Sequence, residues 1–273
     1  MHDFMAFMAA PAVVCMILGV ILTYFGVHVL KREIIFVDLS LAQLAALGTT
    51  IAYVMEIDME SALAQAISLG FILIGAAFFT FTRSLQTRVP QEAVIGIVYV
   101  VGSSLAILVV NHSPHGAEHI KDALNGSILW ANWTEIAKLL VTTVVVSTVH
   151  WRYRHKFLDI STDYRNSKIH DPKWDFLFYF TLGLVIVTSV KMAGIFLIFT
   201  FLIVPAVCGA LFFSSLYKQF CMGSIIAVLV AVAGLEISFV LDLPTGAALV
   251  CSFGVTFLIA LIISRFIPAV GNN

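Results

Sequence analysis

Charge is what this chain has least of. Asp, Glu, Lys and Arg make up 11% of its 273 residues against 60% hydrophobic residues, and its mean hydropathy is +1.02. Such values exclude a freely soluble globular domain. The 15 basic and 16 acidic residues nearly cancel, so there is no cationic excess for nucleic acid. The four cysteines, Cys15, Cys208, Cys221 and Cys251, lie in or beside apolar runs without CxxC spacing. They read as small packing residues, and no disulfide framework is implied. A G-x-x-x-x-G-K-[ST] phosphate loop, an H-E-x-x-H and a Gly-rich dinucleotide fingerprint are all missing. Their absence excludes ATP hydrolysis by a phosphate loop within this chain. Without internal repeats, low-complexity tracts or a long linker, the chain reads as one transmembrane domain over residues 1–273.

What is abundant is the long hydrophobic run. A membrane crossing needs about 20 mostly apolar residues, and cutting the chain at its charged and turn-forming breaks predicts an all-α polytopic bundle. The expected spans lie near 4–29, 35–55, 61–82, 92–111, 134–150, 176–190, 194–212, 221–240 and 246–264. That is nine crossings, or eight if the sixth and seventh runs, parted only by Lys191-Met192-Ala193-Gly194, form one broken helix instead of a tight hairpin. The first run is too long for the core of a signal peptide and lacks a basic flank before it, so it is expected to remain as a span. Threaded this way, twelve of the fifteen Lys and Arg residues fall on one side, and only Lys121, Lys138 and Lys191 fall opposite. The positive-inside rule makes the twelve cytoplasmic, with the N-terminus outside and the C-terminus inside. Trp130, Trp133, Trp151 and Trp174 sit at the ends of runs, as interfacial anchors do. The long inner loop, His150 to Asp175, is basic and polar, a place for a cytosolic partner to dock.

Ionisable groups within spans are costly, at about 2.5–3.5 kcal/mol each on insertion scales, and so mark candidate sites. Asp38 stands near the inner start of the second span and Glu236 in the outer half of the eighth. Asp38 is a candidate for an ion path or, alternatively, a helix-start carboxylate favoured by the N-terminal dipole. Glu236 lines a cavity or pairs with Lys191. Gln43 follows Asp38 by about 500° of helical rotation, so the two do not share a face. An outer loop carries His112, His115, Glu118 and His119. Imidazole and carboxylate are ligands for zinc, manganese and iron, although His-rich loops are also often only solvated.

Four stretches in order resemble the membrane permease subunit of bacterial ABC transporters for zinc, manganese or iron. They are Lys31-Arg32-Glu33 leading into Phe36 to Gly48; Asp122 to Trp130; Lys191-Met192-Ala193-Gly194 through Phe201 to Ala206; and Leu241-Asp242-Leu243-Pro244-Thr245-Gly246-Ala247. The resemblance implies an inner-membrane conduit for a divalent metal ion or chelate, homodimeric and embedded in lipid, with no resident cofactor. It implies a separate cytosolic ATPase and an extracytoplasmic metal-binding protein as partners. It makes Asp38, Gln43, Glu236, His112, His115 and His119 candidate metal contacts. Pro205, Ala206, Ser215 and Lys218 become candidates for ATPase coupling, at and within a coupling segment over 206–219. One departure is chemical. Metal-transporting members place Asp and His four residues apart in the second helix, whereas alignment on Gly48 puts Leu39 and Gln43 there, with Asp38 shifted by one. Two other readings stay open: an ion-coupled secondary carrier using Asp38 and Glu236, and a structural membrane protein.

Overall fold

The computed structural model describes residues 2–59, 61–84, 89–111, 116–162 and 171–266. These residues form helices α1 (His2–Arg32), α2 (Val37–Val54), α3 (Ala62–Ser84), α4 (Gln91–Val110), α5 (Gly116–Asn125), α6 (Trp133–Arg152), α7 (Arg154–Thr162), α8 (Pro172–Phe212), α9 (Leu216–Val240) and α10 (Thr245–Ser264). Among them, α1, α2, α3, α4, α8, α9 and α10 are long and apolar enough to cross a membrane. The protein is therefore all-helical over its regular elements, as its hydropathy pattern requires. α6 has the length, at 20 residues, but Glu135, Lys138 and His150 dilute its apolar character.

The sixth and seventh expected spans emerge as one 41-residue element, α8, with a non-helical residue inside it: Gly194, at φ 75° and ψ 159°. A straight helix of that length would reach about 60 Å, twice the hydrocarbon core of about 30 Å. Each side of Gly194 is long enough by itself.

The chain divides into two compact units. One comprises residues 31–124 and 145–191. Its centre is α2, whose small residues let α3 and α4 approach. A Cβ on Gly48 would meet the Ser68 backbone of α3 at 2.7 Å, and one on Gly102 of α4 would lie 3.6 Å from Gln43 Cβ. The Ser40 hydroxyl donates to the Ile95 carbonyl at 2.6 Å, and the Gln91 amide donates to the Phe79 carbonyl at 2.9 Å. These bonds tie the start of α2 to α4, and the start of α4 to the end of α3. The first part of α8 runs antiparallel to α3, since Gly183 packs on Ile72 while Asp175 meets Arg83.

The second unit comprises residues 1–30, 125–144 and 192–273. Here the later part of α8 runs parallel to α1: Gly19 lies against Phe201, and Gly26 against Leu202 and Ala206. α9 runs antiparallel to α1, with Gly19 on Ala227 and Thr23 on Gly223. α10 returns along α9, where Ser238 and Thr245 hydroxyls share a hydrogen bond of 2.9 Å across a turn that holds Asp242 at φ 50°. The helix break is covered by residues 125–127. Gly126, at φ 66°, and Gly194 press backbone on backbone, and the Ser127 N–H donates to the Met192 carbonyl at 2.9 Å. A carbonyl released by the break thus finds its donor within the protein, the condition for irregular backbone at membrane depth.

Gly194→Ala should therefore be severe. The added Cβ meets the Asn125 and Gly126 backbone and requires a left-handed φ, a combined cost of about 3 kcal/mol or more. Gly96→Ala, with nothing within 4 Å of the added atom, should stay within about 1 kcal/mol of the parent. Thermal unfolding of both variants in detergent, with the parent alongside, checks the contrast.

Candidate functional site

Asp38 occupies the first turn of α2 and is fully buried. Neither carboxylate oxygen has a hydrogen-bond partner, so position at a helix start is only part of its description. The residue that caps α2 is Glu92, whose Oε1 accepts the Phe36 N–H at 3.0 Å. Its charge also acts on Asp38. Sequence reasoning passed over Glu92, although Pro90-Gln91-Glu92 is a recognisable helix start with an acid in the first turn. Gln43 is buried and sits against Gly102 of α4. It serves helix packing there, further along α2 than Asp38.

The remaining candidates are distributed along the chain. Glu236 is exposed on α9. His112 and His115 lie outside the described residues, and His119 belongs to the first turn of α5. Among the described residues, no three His, Cys, Asp or Glu side chains form a group able to hold a metal ion.

The coupling candidates separate into two pairs. Pro205 and Ala206 are buried inside α8, with the Pro205 carbonyl closing on Gly223. The helix continues past them to Phe212, where the expected span 194–212 also ends, so the bend within the 206–219 segment falls after it. Pro205 lacks its own N–H but leaves the following turns free to continue, with α9 covering the site. The chain bends only at Phe213–Ser215, where the buried Gln219 amide donates to the Phe213 carbonyl at 2.7 Å. Ser215 and Lys218 are exposed at this corner, beside Tyr217 at 74% exposure.

A charged cluster that the sequence did not reveal lies in the unit containing α2. Arg32 and Arg83, counted in the sequence only as cytoplasmic charge, are both buried around Asp175. Arg32 Nη1 lies 3.3 Å from Asp175 Oδ1, and Arg83 pairs with the same oxygen. Arg32 Nε donates to Ser161 of α7 at 3.0 Å, and its guanidinium lies 3.9 Å over the Phe178 ring. Next to it, His150 stacks on Phe157 at 4.0 Å and shares a 2.8 Å hydrogen bond with Thr181. The ends of α1, α3, α6, α7 and α8 are joined by this network.

The family model described as the ABC 3 transport family matches residues 4–264. The manganese transport system membrane protein MntC of Listeria monocytogenes is 23% identical over 265 residues, covering 93% of this chain and 90% of its own length. The chelated iron transport system membrane protein YfeD of Yersinia pestis is 26% identical over 186 residues, 67% of this chain and 62% of that protein. Among solved structures, PsaBC from Streptococcus pneumoniae in complex with Fab superposes with a TM-score of 0.77 at 20% identity. The match covers 97% of this chain and 92% of that one, and it shows a shared fold.

Asp175→Ala should lower stability by about 3–5 kcal/mol, because two buried guanidinium groups lose their anion. The expected readout is a large fall in membrane abundance and in the melting temperature of the purified protein. Lys173→Ala, at an exposed position on the same helix, should change neither.

Proposed function

The chain belongs to the ABC 3 transport family, and from that premise we propose that it is the permease of an importer for a divalent metal ion (manganese, iron or zinc) or a metal chelate. It is a multi-pass protein of the bacterial inner membrane and a transport subunit, not an enzyme. The family match over residues 4–264 carries this reading. Relatives named for manganese and chelated-iron transport support the class of cargo.

In this reading residues 1–273 form one permease domain, and two copies line a path at their shared interface. A separate cytosolic ATPase supplies the energy, and an extracytoplasmic metal-binding protein delivers the cargo. Counting α6 and both parts of α8 as crossings gives nine, with the N-terminus outside and the C-terminus in the cytosol. The directions of the two parts of α8, antiparallel to α3 and parallel to α1, agree with that count within their own units. The exposed corner at Phe213–Lys218 then faces the ATPase. When nucleotide draws the ATPases together, the corner moves with them. Because Gln219 ties the corner to α9, and Gly26 and Gly223 hold Ala206 and Pro205 tightly, the displacement passes into the later part of α8 as a body. α7 and the end of α6 present Arg152 and Arg154 as exposed charge for the same partner.

Asp38 is assigned to the ion path because a buried carboxylate without hydrogen-bond donors is costly to keep for packing alone. Asp38→Asn should reduce radiometal accumulation in cells at least tenfold at equal membrane abundance, and uptake equal to the parent would remove Asp38 from the path. Gln43→Ala should be milder, since a neutral amide supplies little binding energy to a divalent cation.

Coupling has its own measurement. Lys218→Glu combined with Ser215→Trp should weaken copurification of the ATPase and abolish transport while leaving the melting temperature of the permease unchanged. Normal copurification and normal transport by this double variant would move the coupling surface elsewhere.

A further inference from the structure

We propose that Glu92 joins Asp38 in an all-oxygen cation site at the starts of α2 and α4, and that this site favours a hard divalent cation such as Mn²⁺ over Zn²⁺. The inference rests on the assignment of Asp38 to the ion path and adds a second residue and a metal preference to it.

Proximity comes from the cap. The Phe36 N–H donates to Glu92 Oε1 at 3.0 Å, and Asp38 follows Phe36 by two residues in the same first turn of α2. The two carboxylates therefore sit at one helix start.

Their surroundings leave both acids short of donors. Asp38 Oδ1 and Oδ2 and Glu92 Oε2 are all buried without hydrogen-bond partners. The nearest hydroxyl along α2, that of Ser40, is committed to the Ile95 carbonyl at 2.6 Å. Among the described residues, the buried cations of this unit, Arg32 and Arg83, are engaged with Asp175. The dipole at the start of α2 offsets only about half a charge, against a fully buried Asp38 and a half-buried Glu92. A proton or a bound cation balances such a pair, and the cation does so while both acids stay ionised.

Donor chemistry then decides which cation. Among the described residues no His, Cys or third acid completes a group with these two, so the side-chain ligands are oxygen alone. Carboxylates with carbonyl and water oxygens suit magnesium, calcium and manganese, whereas zinc draws its affinity chiefly from imidazole and thiolate. Asp38 is 0% exposed, whereas Glu92 is half-buried.

The competing role for Glu92 is that of a helix cap and no more. Glu92→Gln separates the two, because the amide oxygen still accepts the Phe36 N–H while the charge is gone. The test uses the purified permease–ATPase complex in detergent without the binding protein, with Mn²⁺ as probe, free Mn²⁺ being measured by electron paramagnetic resonance. The parent should bind one Mn²⁺ per permease chain and retain most of it against equimolar Zn²⁺. Asp38→Asn and Glu92→Gln should each weaken binding at least tenfold, the second with an unchanged melting temperature, and Glu92→Asp should recover part of the affinity. Parent-like binding by Glu92→Gln, no binding by the parent, or displacement of Mn²⁺ by equimolar Zn²⁺ would each overturn the inference. If Asp38→Asn loses uptake while Glu92→Gln binds normally, only the role of Glu92 falls; if Asp38→Asn transports normally, the ion-path assignment falls with it.

Discussion

A polypeptide inside a bilayer has no water to turn to, so any backbone group released from a helix must find its partner in the protein. This constraint bears hardest on α8, where Gly194 interrupts a helix far longer than a membrane is thick. The interruption is tolerable because residues 125–127 lie on it, with Ser127 donating to the Met192 carbonyl and Gly126 making room for the contact. Two glycines with left-handed φ facing each other leave no space for a side chain on either. The later part of α8 is then free to run beside α1 and to end at the corner with α9, so the exposed surface assigned to ATPase docking depends on a contact made well away from it along the helix.

The same absence of water separates the two groups of buried charge. Arg32, Arg83 and Asp175 neutralise one another in large part, and the aromatic face of Phe178 and the hydroxyl of Ser161 meet part of what remains. That is the arrangement of a structural fastening: cations and anion face each other, and helix ends are drawn together. Asp38 and Glu92 lack such a complement. Two acids share the start of a helix, three of their four oxygens make no hydrogen bond, and what favours them is the helix dipole and the backbone N–H groups around that start. A protein that merely needed a capped helix would do as well with one acid or an amide. The contrast between a cluster that completes itself and one that calls for a cation is the physical ground for placing the ion path at Asp38.

Much of the fold could be read in advance because hydropathy is a sum over many residues. The runs corresponding to α1–α4, α9 and α10 stand out whichever residue is taken as a boundary. Errors arose where a single residue or a distant partner decides the outcome. One glycine determines how α8 is divided, and its φ depends on a segment some seventy positions earlier in the chain. Arg32 and Arg83 were counted simply as cytoplasmic charge, since nothing local distinguishes a paired arginine from an exposed one; the pairing becomes visible only when Asp175 is brought to both.

Composition, run length and the distribution of lysine and arginine determined by themselves that this chain is a helical, multi-pass membrane protein. The order of its short motifs determined which family it resembles. These properties are local or additive, and they survive any rearrangement of the helices. Tertiary structure alone decided which charges are partners, which small residues are contacts, and that Glu92 caps the helix whose first turn holds Asp38. Each of those is a distance between residues far apart in sequence, set by how the helices pack once water is excluded.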